Sequence, residues 1–289
     1  MAGGRMLEEL MAIAPDRYDI TVFGAEPHPN YNRILLTPVL AGEQRFEDIL
    51  LNDAAWHARQ GILLHLQRTV VRIDRVRRTV IDDLGRATPY DRLVLATGSR
   101  PAVLPVPGAD LEGVVTYRDI ADTEAMIAAA SRHRNAVVIG GGLLGVEAAN
   151  GLSRRGMRVT LVHVMPWLME RQLDAAAGGL LARSLEARGI AVRLNARTET
   201  IAGSERVEAV ELADGTRLAA DLVVMAVGIR PNVELAEQAR LQCQRGVVVT
   251  DTLQTSDPRI YAVGECVAHR GVSYGLVAPL YDMSRVCAN

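Results

Sequence analysis

A glycine-rich segment near the middle of the chain carries the sharpest chemical signal. Gly140, Gly142 and Gly145 follow the apolar residues 136–139 and open a helical pattern, in the spacing G-x-G-x-x-G. Glycines in this setting permit a tight turn, a close approach of backbone to phosphate, and close packing of helix on strand. The N–H groups and positive dipole end of the helix favour a pyrophosphate. The pattern predicts a dinucleotide site; a glycine-rich turn without a ligand is the alternative.

The residues after this turn extend the candidate site. Leu143 and Leu144 open the helix and are expected to contact the cofactor. About 20 residues further on, an acidic side chain usually binds the adenosine ribose, but here the strand ends at His163. His163 could donate to a ribose hydroxyl or, when protonated, accommodate a 2′-phosphate. A surface histidine without a ligand is an equal alternative, so the choice between NADH and NADPH stays open.

Composition excludes several classes of function. The 289 residues are 49% hydrophobic, enough for two domains with cores of their own. A formal net charge of -2 with scattered basic residues argues against a nucleic-acid surface. Cys243, Cys266 and Cys287 form no C-x-x-C pair, which argues against a metal site, a disulfide framework and a redox dithiol. With neither a signal peptide nor an apolar run of about 18 residues, a cytoplasmic protein without membrane contact is expected.

Alternating helical and strand patterns must position these residues. Such alternation predicts an α/β fold with parallel sheets, and a Pro- and Gly-bearing stretch at 101–108 marks a domain crossing. The patterns indicate helices at 4–14, 142–155 and 173–188, and strands at 20–23, 70–74, 78–82, 92–96, 136–139, 158–162 and 222–226.

Four segments, in order along nearly the whole chain, resemble the pyridine nucleotide–disulfide oxidoreductase superfamily. They are LVLATGS (93–99), the glycine turn, AVGIRPN (226–232) and IYAVGE (260–265). Within it the chain resembles the flavin domain of NAD(P)H nitrite reductase large subunits, through PNYNRILL (29–36), VHVMP (162–166), MERQLD (169–174) and GECVAH (264–269). Nitrate reductase flavin subunits and rubredoxin-type reductases are close alternatives.

The resemblance implies two Rossmann-like domains. An NAD(P)H-binding domain at 113–240 is expected to be inserted in an FAD-binding domain formed by 1–112 and 241–289. Only Gly3 matches the family's first glycine turn, as its third glycine. The opening strand and the C-terminal interface domain are therefore expected to be missing, which favours an incomplete copy of a longer chain.

The resemblance also implies FAD and NAD(P)H as cofactors. Glu265, where most members have Asp, is expected to lie against the ribityl chain. Glu26 fits the adenosine-ribose position of FAD and Arg33 a pyrophosphate contact, with solvated surface charges as the alternative for both. The other FAD contacts expected are Gly3, Val71, Ala96, Thr97, Gly98, Gly264 and Val277.

Two further residues are expected to contact the pyridine nucleotide. Glu147 resembles a position that points toward the nicotinamide; a carboxylate that stabilises the first turn of its helix is the alternative. Gly228, in the third matching segment, is the other expected contact.

The implied chemistry is hydride transfer from NAD(P)H to flavin, carried by the cofactors, so no catalytic acid or nucleophile is named. Without paired cysteines, an iron–sulfur or siroheme acceptor is expected in a missing C-terminal region or partner subunit, within an assimilatory nitrite reductase that could be a homodimer. The alternatives are a stand-alone NADH oxidase or rubredoxin-type reductase, and a non-catalytic NAD(P)-binding fragment unable to hold FAD.

Overall fold

The computed structural model describes residues 1–289 and divides them into two compact units. The first unit contains Met1–Asn32, Leu50–Arg100 and Arg230–Asn289, and the second contains Arg33–Ile49 and Pro101–Ile229. Along the chain, the second unit is thus inserted in the first. The boundaries between the units fall at 100/101 and 229/230, whereas the domain boundaries expected from the resemblance are 112/113 and 240/241. Residues 33–49 belong to the second unit. Which cofactor each unit binds stays a prediction.

Eight helices and 21 strands make up the two units. The helices are α1 (Ala2–Ile13), α2 (Leu36–Ala41), α3 (Ala54–Arg59), α4 (Ile120–Arg132), α5 (Leu143–Arg154), α6 (Ala175–Glu186), α7 (Glu234–Gln238) and α8 (Val277–Ala288). The strands are β1 (Thr21–Gly24), β2 (Asn30–Tyr31), β3 (Leu50–Asn52), β4 (Leu63–Leu66), β5 (Val70–Asp74), β6 (Thr79–Asp82), β7 (Ala87–Pro89), β8 (Leu93–Leu95), β9 (Ser99–Pro101), β10 (Val114–Thr116), β11 (Asn135–Ile139), β12 (Arg158–Val162), β13 (Ala191–Arg193), β14 (Thr198–Gly203), β15 (Val207–Leu212), β16 (Arg217–Ala219), β17 (Leu222–Met225), β18 (Ile229–Pro231), β19 (Val247–Val249), β20 (Ile260–Ala262) and β21 (Val267–His269).

The second unit is built on a five-stranded sheet in the order β10-β17-β11-β12-β13, with every pair parallel. Strand β17 and most of β11 are fully buried, which explains their continuous apolar runs, since a strand covered on both faces needs no polar side. Strands β14, β15 and β16 form a separate antiparallel sheet. The predicted α/β architecture is confirmed, and the carboxyl ends of β11 and β12 lie side by side at the glycine turn.

The first unit contains three parallel strand pairs, β1–β4, β8–β20 and β19–β21. Its antiparallel parts are the pair β2–β3 and the sheet β5-β6-β7. Helices α1 and α8 pack together, and the buried hydroxyl of Ser284 donates to the Ala2 carbonyl at 2.9 Å. This contact holds the first turn of α1 in place.

All three cysteines are free thiols. Cys266 is completely buried, and its Sγ donates to the Val263 carbonyl at 3.3 Å. Burial raises the pKa of Cys266 and raises that of Cys287 to about 11. No three His, Cys, Asp or Glu side chains lie together as a metal site, and no helix has the length and apolar character to cross a membrane.

We expect Leu161→Ala to lower the free energy of unfolding by about 2–5 kcal/mol, because it opens a cavity in a packed sheet. Leu161 lies in β12 and is 0% exposed. The matched control is Leu180→Ala on α6, where Leu180 is 62% exposed, and its effect should stay within about 0.5 kcal/mol. Urea unfolding of both variants provides the measurement; equal losses would contradict the burial argument.

Candidate functional site

Steric crowding at the glycine turn assigns different roles to its glycines. Gly140 has a φ of +117°, and a Cβ there would lie 2.2 Å from the Ala226 carbonyl oxygen. A Cβ on Gly145 would lie 1.8 Å from the carbonyl oxygen of Gly140. Around Gly142, by contrast, a Cβ would meet nothing within 4 Å. Two glycines are thus required by packing, while Gly142 borders open space that can admit a ligand.

The start of α5 is free of side-chain caps. Gly142 is its N-cap residue, in an extended conformation, and no side chain accepts a hydrogen bond from the first turn. Leu143 is 41% exposed, and Leu144 is half-buried. Because the first N–H groups of a helix lack intrahelical partners, an uncapped N-terminus beside open space is suited to an anion.

His163 is buried beneath the loop that follows β12, being 7% exposed. The Gly141 N–H donates to His163 Nδ1 at 3.0 Å, and Nε2 lies 3.1 Å from Glu170 Oε2. Since Nδ1 accepts, Nε2 carries the proton and donates to the carboxylate. The surface-histidine alternative is therefore wrong, because Leu168, 0% exposed, and its loop cover the strand end. Both ring nitrogens are engaged, which also argues against direct donation to a ribose.

Glu147 lies in α5 beyond the first turn, which contains no acidic residue. The alternative of a first-turn carboxylate is therefore wrong. Its Oε2 accepts a hydrogen bond from Thr37 Oγ1 at 3.0 Å, and Thr37 Oγ1 lies 3.2 Å from the hydroxyl of the buried Tyr117. Burial raises the pKa of Glu147. Thr37 and Tyr117 are distant in sequence, so no local pattern could have identified them.

Arg33 and Gly228 also belong to the second unit. The half-buried Arg33 donates through Nη1 to the Arg118 carbonyl at 2.9 Å, so it is not simply a solvated charge. Gly228 is exposed, has a φ of +112° and would place a Cβ in open space. Its carbonyl accepts the N–H of Ala102 at 2.9 Å. The contacts of these two residues with a cofactor remain predictions.

In the first unit, three of the predicted site residues meet at the start of α1. A Cβ on Gly3 would lie 3.0 Å from the Cβ of Ala96, and a Cβ on Gly264 would lie 2.9 Å from that of Ala2. Gly264 has a φ of +89°. The helix has no side-chain cap at its N-terminus, and it begins beside the ends of the parallel strands β8 and β20.

Two carboxylates predicted for the flavin site are each held by a hydroxyl group. The buried Tyr31 donates to Glu26 Oε2 at 2.6 Å, and Ser99 donates to Glu265 Oε2 at 2.8 Å. Both glutamates are half-buried. Glu26 is therefore not simply a solvated surface charge, because an aromatic hydroxyl from β2 orients it, and its contact with a cofactor remains a prediction.

The remaining predicted contacts lie on separate elements of the first unit. The exposed Thr97 donates through Oγ1 to the Asn232 carbonyl at 2.9 Å, while the Gly98 carbonyl accepts the Asn232 N–H. Val71 is 47% exposed at a register shift of β5, and Val277 is the first residue of α8. The structure thus places Gly3 against Ala96 and Gly264 against the neighbouring Ala2. Cofactor contacts of Thr97, Gly98, Val71 and Val277 remain predictions.

The family described as pyridine nucleotide-disulphide oxidoreductase matches residues 1–279. The chain belongs to this family. The resemblance drawn from the four sequence segments is thereby confirmed, including its oxidoreductase class.

Individual relatives cover the chain completely but extend well beyond it. Nitrite reductase [NAD(P)H] of Bacillus subtilis (strain 168) is 54% identical over 288 residues, which are 100% of this chain and 36% of that protein. The assimilatory nitrate reductase electron transfer subunit of the same organism is 46% identical over 100% of this chain and 38% of its own length. The chain thus spans about a third of the length of these relatives.

A solved structure confirms the fold. The ferredoxin reductase for the CYP199A2 system from Rhodopseudomonas palustris superposes with a TM-score of 0.94 at 30% identity. The match covers 99% of this chain and 72% of that one.

We expect Gly145→Ala to destabilise the protein by about 1–3 kcal/mol or more, because its Cβ overlaps the Gly140 carbonyl. The control is Gly179→Ala inside α6, where the nearest atom to a Cβ is Arg183 Nη1 at 3.7 Å. That change should be neutral or stabilising by up to about 1 kcal/mol, since alanine favours helix. Thermal unfolding compares the two; a stable Gly145→Ala protein would contradict the packing described.

We expect Glu147→Gln to stabilise the protein increasingly as pH rises above the ordinary pKa of a glutamate, about 4.3. Burial raises the folded-state pKa of Glu147 above the ordinary value of a glutamate, so the folded state holds its proton to higher pH than the unfolded chain does. The wild-type free energy of unfolding should therefore fall as pH rises through the interval between the two pKa values. Glutamine can still accept from Thr37 but does not titrate. Denaturant unfolding at a series of pH values from about 4 upward is the measurement, and parallel curves of unfolding free energy against pH for the two proteins would refute the assignment.

Proposed function

We propose that this chain is the NAD(P)H- and FAD-binding part of a flavin-dependent oxidoreductase. Electrons would pass from NAD(P)H through FAD to an iron–sulfur or siroheme acceptor, as part of an assimilatory nitrite reductase. The observation that carries the proposal is the open space at Gly142, next to an uncapped helix N-terminus, in a chain of this family.

The residues of the second unit fit a bound pyridine nucleotide. Gly142 leaves room for phosphate oxygens. The N–H groups of Leu143 and Leu144 lie in the first turn of α5, at the positive end of its dipole, where they can donate to those oxygens. Glu147 follows one turn later and, held by Thr37, can present its remaining oxygen to a nicotinamide. Gly228 presents no side chain that could obstruct a ligand.

The residues of the first unit fit a bound flavin nucleotide. Gly3 at the uncapped start of α1 allows phosphate to approach its backbone, with Ala96 and Gly264 alongside. Glu26 and Glu265 are each oriented by a hydroxyl group, from Tyr31 and Ser99 respectively, and their carboxylates would accept hydrogen bonds from a sugar or ribityl hydroxyl. Val277, Thr97, Gly98 and Val71 would complete the contacts of this unit. FAD supplies a ring that accepts hydride and passes its electrons on.

The identity of the acceptor rests on the relatives. Two of them, 54% and 46% identical, are named for nitrite reduction and for electron transfer in nitrate assimilation. Since the cysteines of this chain are three separate free thiols, a dithiol acceptor within it is disfavoured. A stand-alone reductase for a small iron–sulfur protein is the second candidate, favoured by the superposition on a ferredoxin reductase.

We expect the purified chain, reconstituted with FAD, to show flavin absorbance and to oxidise NAD(P)H with ferricyanide. Gly142→Val should weaken NAD(P)H binding about tenfold or more, because its side chain fills the space for phosphate, while leaving folding and flavin absorbance intact. Gly179→Ala serves as control. Fluorescence titration with NADH and NADPH measures the affinities. A chain without flavin absorbance, or an unchanged affinity in Gly142→Val, would refute the proposal.

A further inference from the structure

We propose that Glu170, oriented by His163, accepts hydrogen bonds from the adenosine ribose of the pyridine nucleotide and makes this site selective for NADH over NADPH. The inference rests on the proposed function and names the substrate of the same site. The residue that follows β12 is His163 and not the acidic residue that usually binds the adenosine ribose. Glu170 would supply the carboxylate in its place.

The loop after β12 is attached directly to the glycine turn. The Met169 N–H donates to the Gly141 carbonyl at 2.8 Å, and the Gly141 N–H donates to His163 Nδ1 at 3.0 Å. A Cβ on Gly141 would lie 2.6 Å from both the His163 ring and the Leu168 side chain. The N–H and the carbonyl of Gly141 are therefore both hydrogen-bonded to this loop or to the strand end before it. Glu170 directly follows Met169, whose N–H makes one of these bonds.

The hydrogen bonds of His163 determine which atoms of Glu170 are available. His163 Nε2 donates to Glu170 Oε2 at 3.1 Å, and the side chains are 8% and 25% exposed respectively. The buried imidazole thus fixes one carboxylate oxygen and leaves Oε1 able to accept from hydroxyl groups. A charged side chain positioned in this way at the carboxyl edge of β12 can replace the missing strand-end carboxylate.

Charge then decides between the two dinucleotides. A carboxylate accepts hydrogen bonds from the 2′- and 3′-hydroxyls of NADH, whereas it repels the dianionic 2′-phosphate of NADPH. The exposed Arg171 is the opposing group, since a guanidinium in this position favours a phosphate. The orientation of Glu170 by a buried histidine favours the carboxylate, and binding of NADPH in preference to NADH is the outcome that would overturn the proposal.

The first experiment compares NADH and NADPH affinities of wild type and Glu170→Gln by fluorescence titration. Wild type should bind NADH about tenfold or more tightly than NADPH, and Glu170→Gln should lower that ratio about tenfold by removing the charge. Glu186→Gln, an exposed glutamate in the last turn of α6, is the matched control and should leave the ratio unchanged. A ratio unaffected by Glu170→Gln would overturn the proposal.

The second experiment tests His163 as a positioning residue. Asparagine can still accept the Gly141 N–H but is too short to replace Nε2, so His163→Asn should lower the NADH to NADPH ratio. In the Glu170→Gln background the same substitution should change the ratio no further, because both act through one carboxylate. Additive effects on the ratio would assign the pair a structural role only. If the protein binds both dinucleotides and the substitutions leave the ratio of NADH to NADPH affinity unaltered, only this proposal is refuted. If the wild-type protein binds neither dinucleotide, the proposed function is refuted as well.

Discussion

The close packing of α5 on its sheet is the constraint on which the second unit depends. A methyl group has no room at Gly140, where it would meet the Ala226 carbonyl, or at Gly145, where it would meet the carbonyl of Gly140. That proximity places the N-terminus of α5 at the carboxyl edge of a buried parallel sheet, with its N–H groups uncapped. Backbone dipoles directed at a fixed point need no reorganisation when an anion arrives, so a feature of packing also prepares a binding site.

The parts of this fold that could be predicted from the sequence are local. The strand at 158–162 and the helix after the glycine turn were located within a residue or so, because continuous apolar runs and glycine spacing are properties of neighbouring residues. Residues 33–49 pack with the second unit through contacts such as that of Thr37 with Glu147, which lies 110 positions away in the sequence. A single sequence contains no signal for such a pairing.

The candidate site shows the same division. The motif singles out each glycine of the turn, whereas it contains no signal for the environment of His163. Its burial arises because the loop carrying Leu168 and Met169 folds back over the strand end, and the polarity of the residue alone favoured exposure. The family resemblance points to Glu26 and Glu265 as candidates, but their hydroxyl partners Tyr31 and Ser99 become evident only from the three-dimensional contacts. In each case the sequence does not indicate which polar groups form hydrogen bonds with one another.

The complete enclosure of Cys266 has a consequence for the chemistry of this protein. Its thiol sits directly after Glu265, is 0% exposed, and stays protonated because burial raises its pKa. Alkylating reagents attack the thiolate, so modification at this position has to await an opening of the β8–β20 region that admits water. The rate at which a maleimide labels Cys266 therefore reports how often the first unit opens transiently around this thiol.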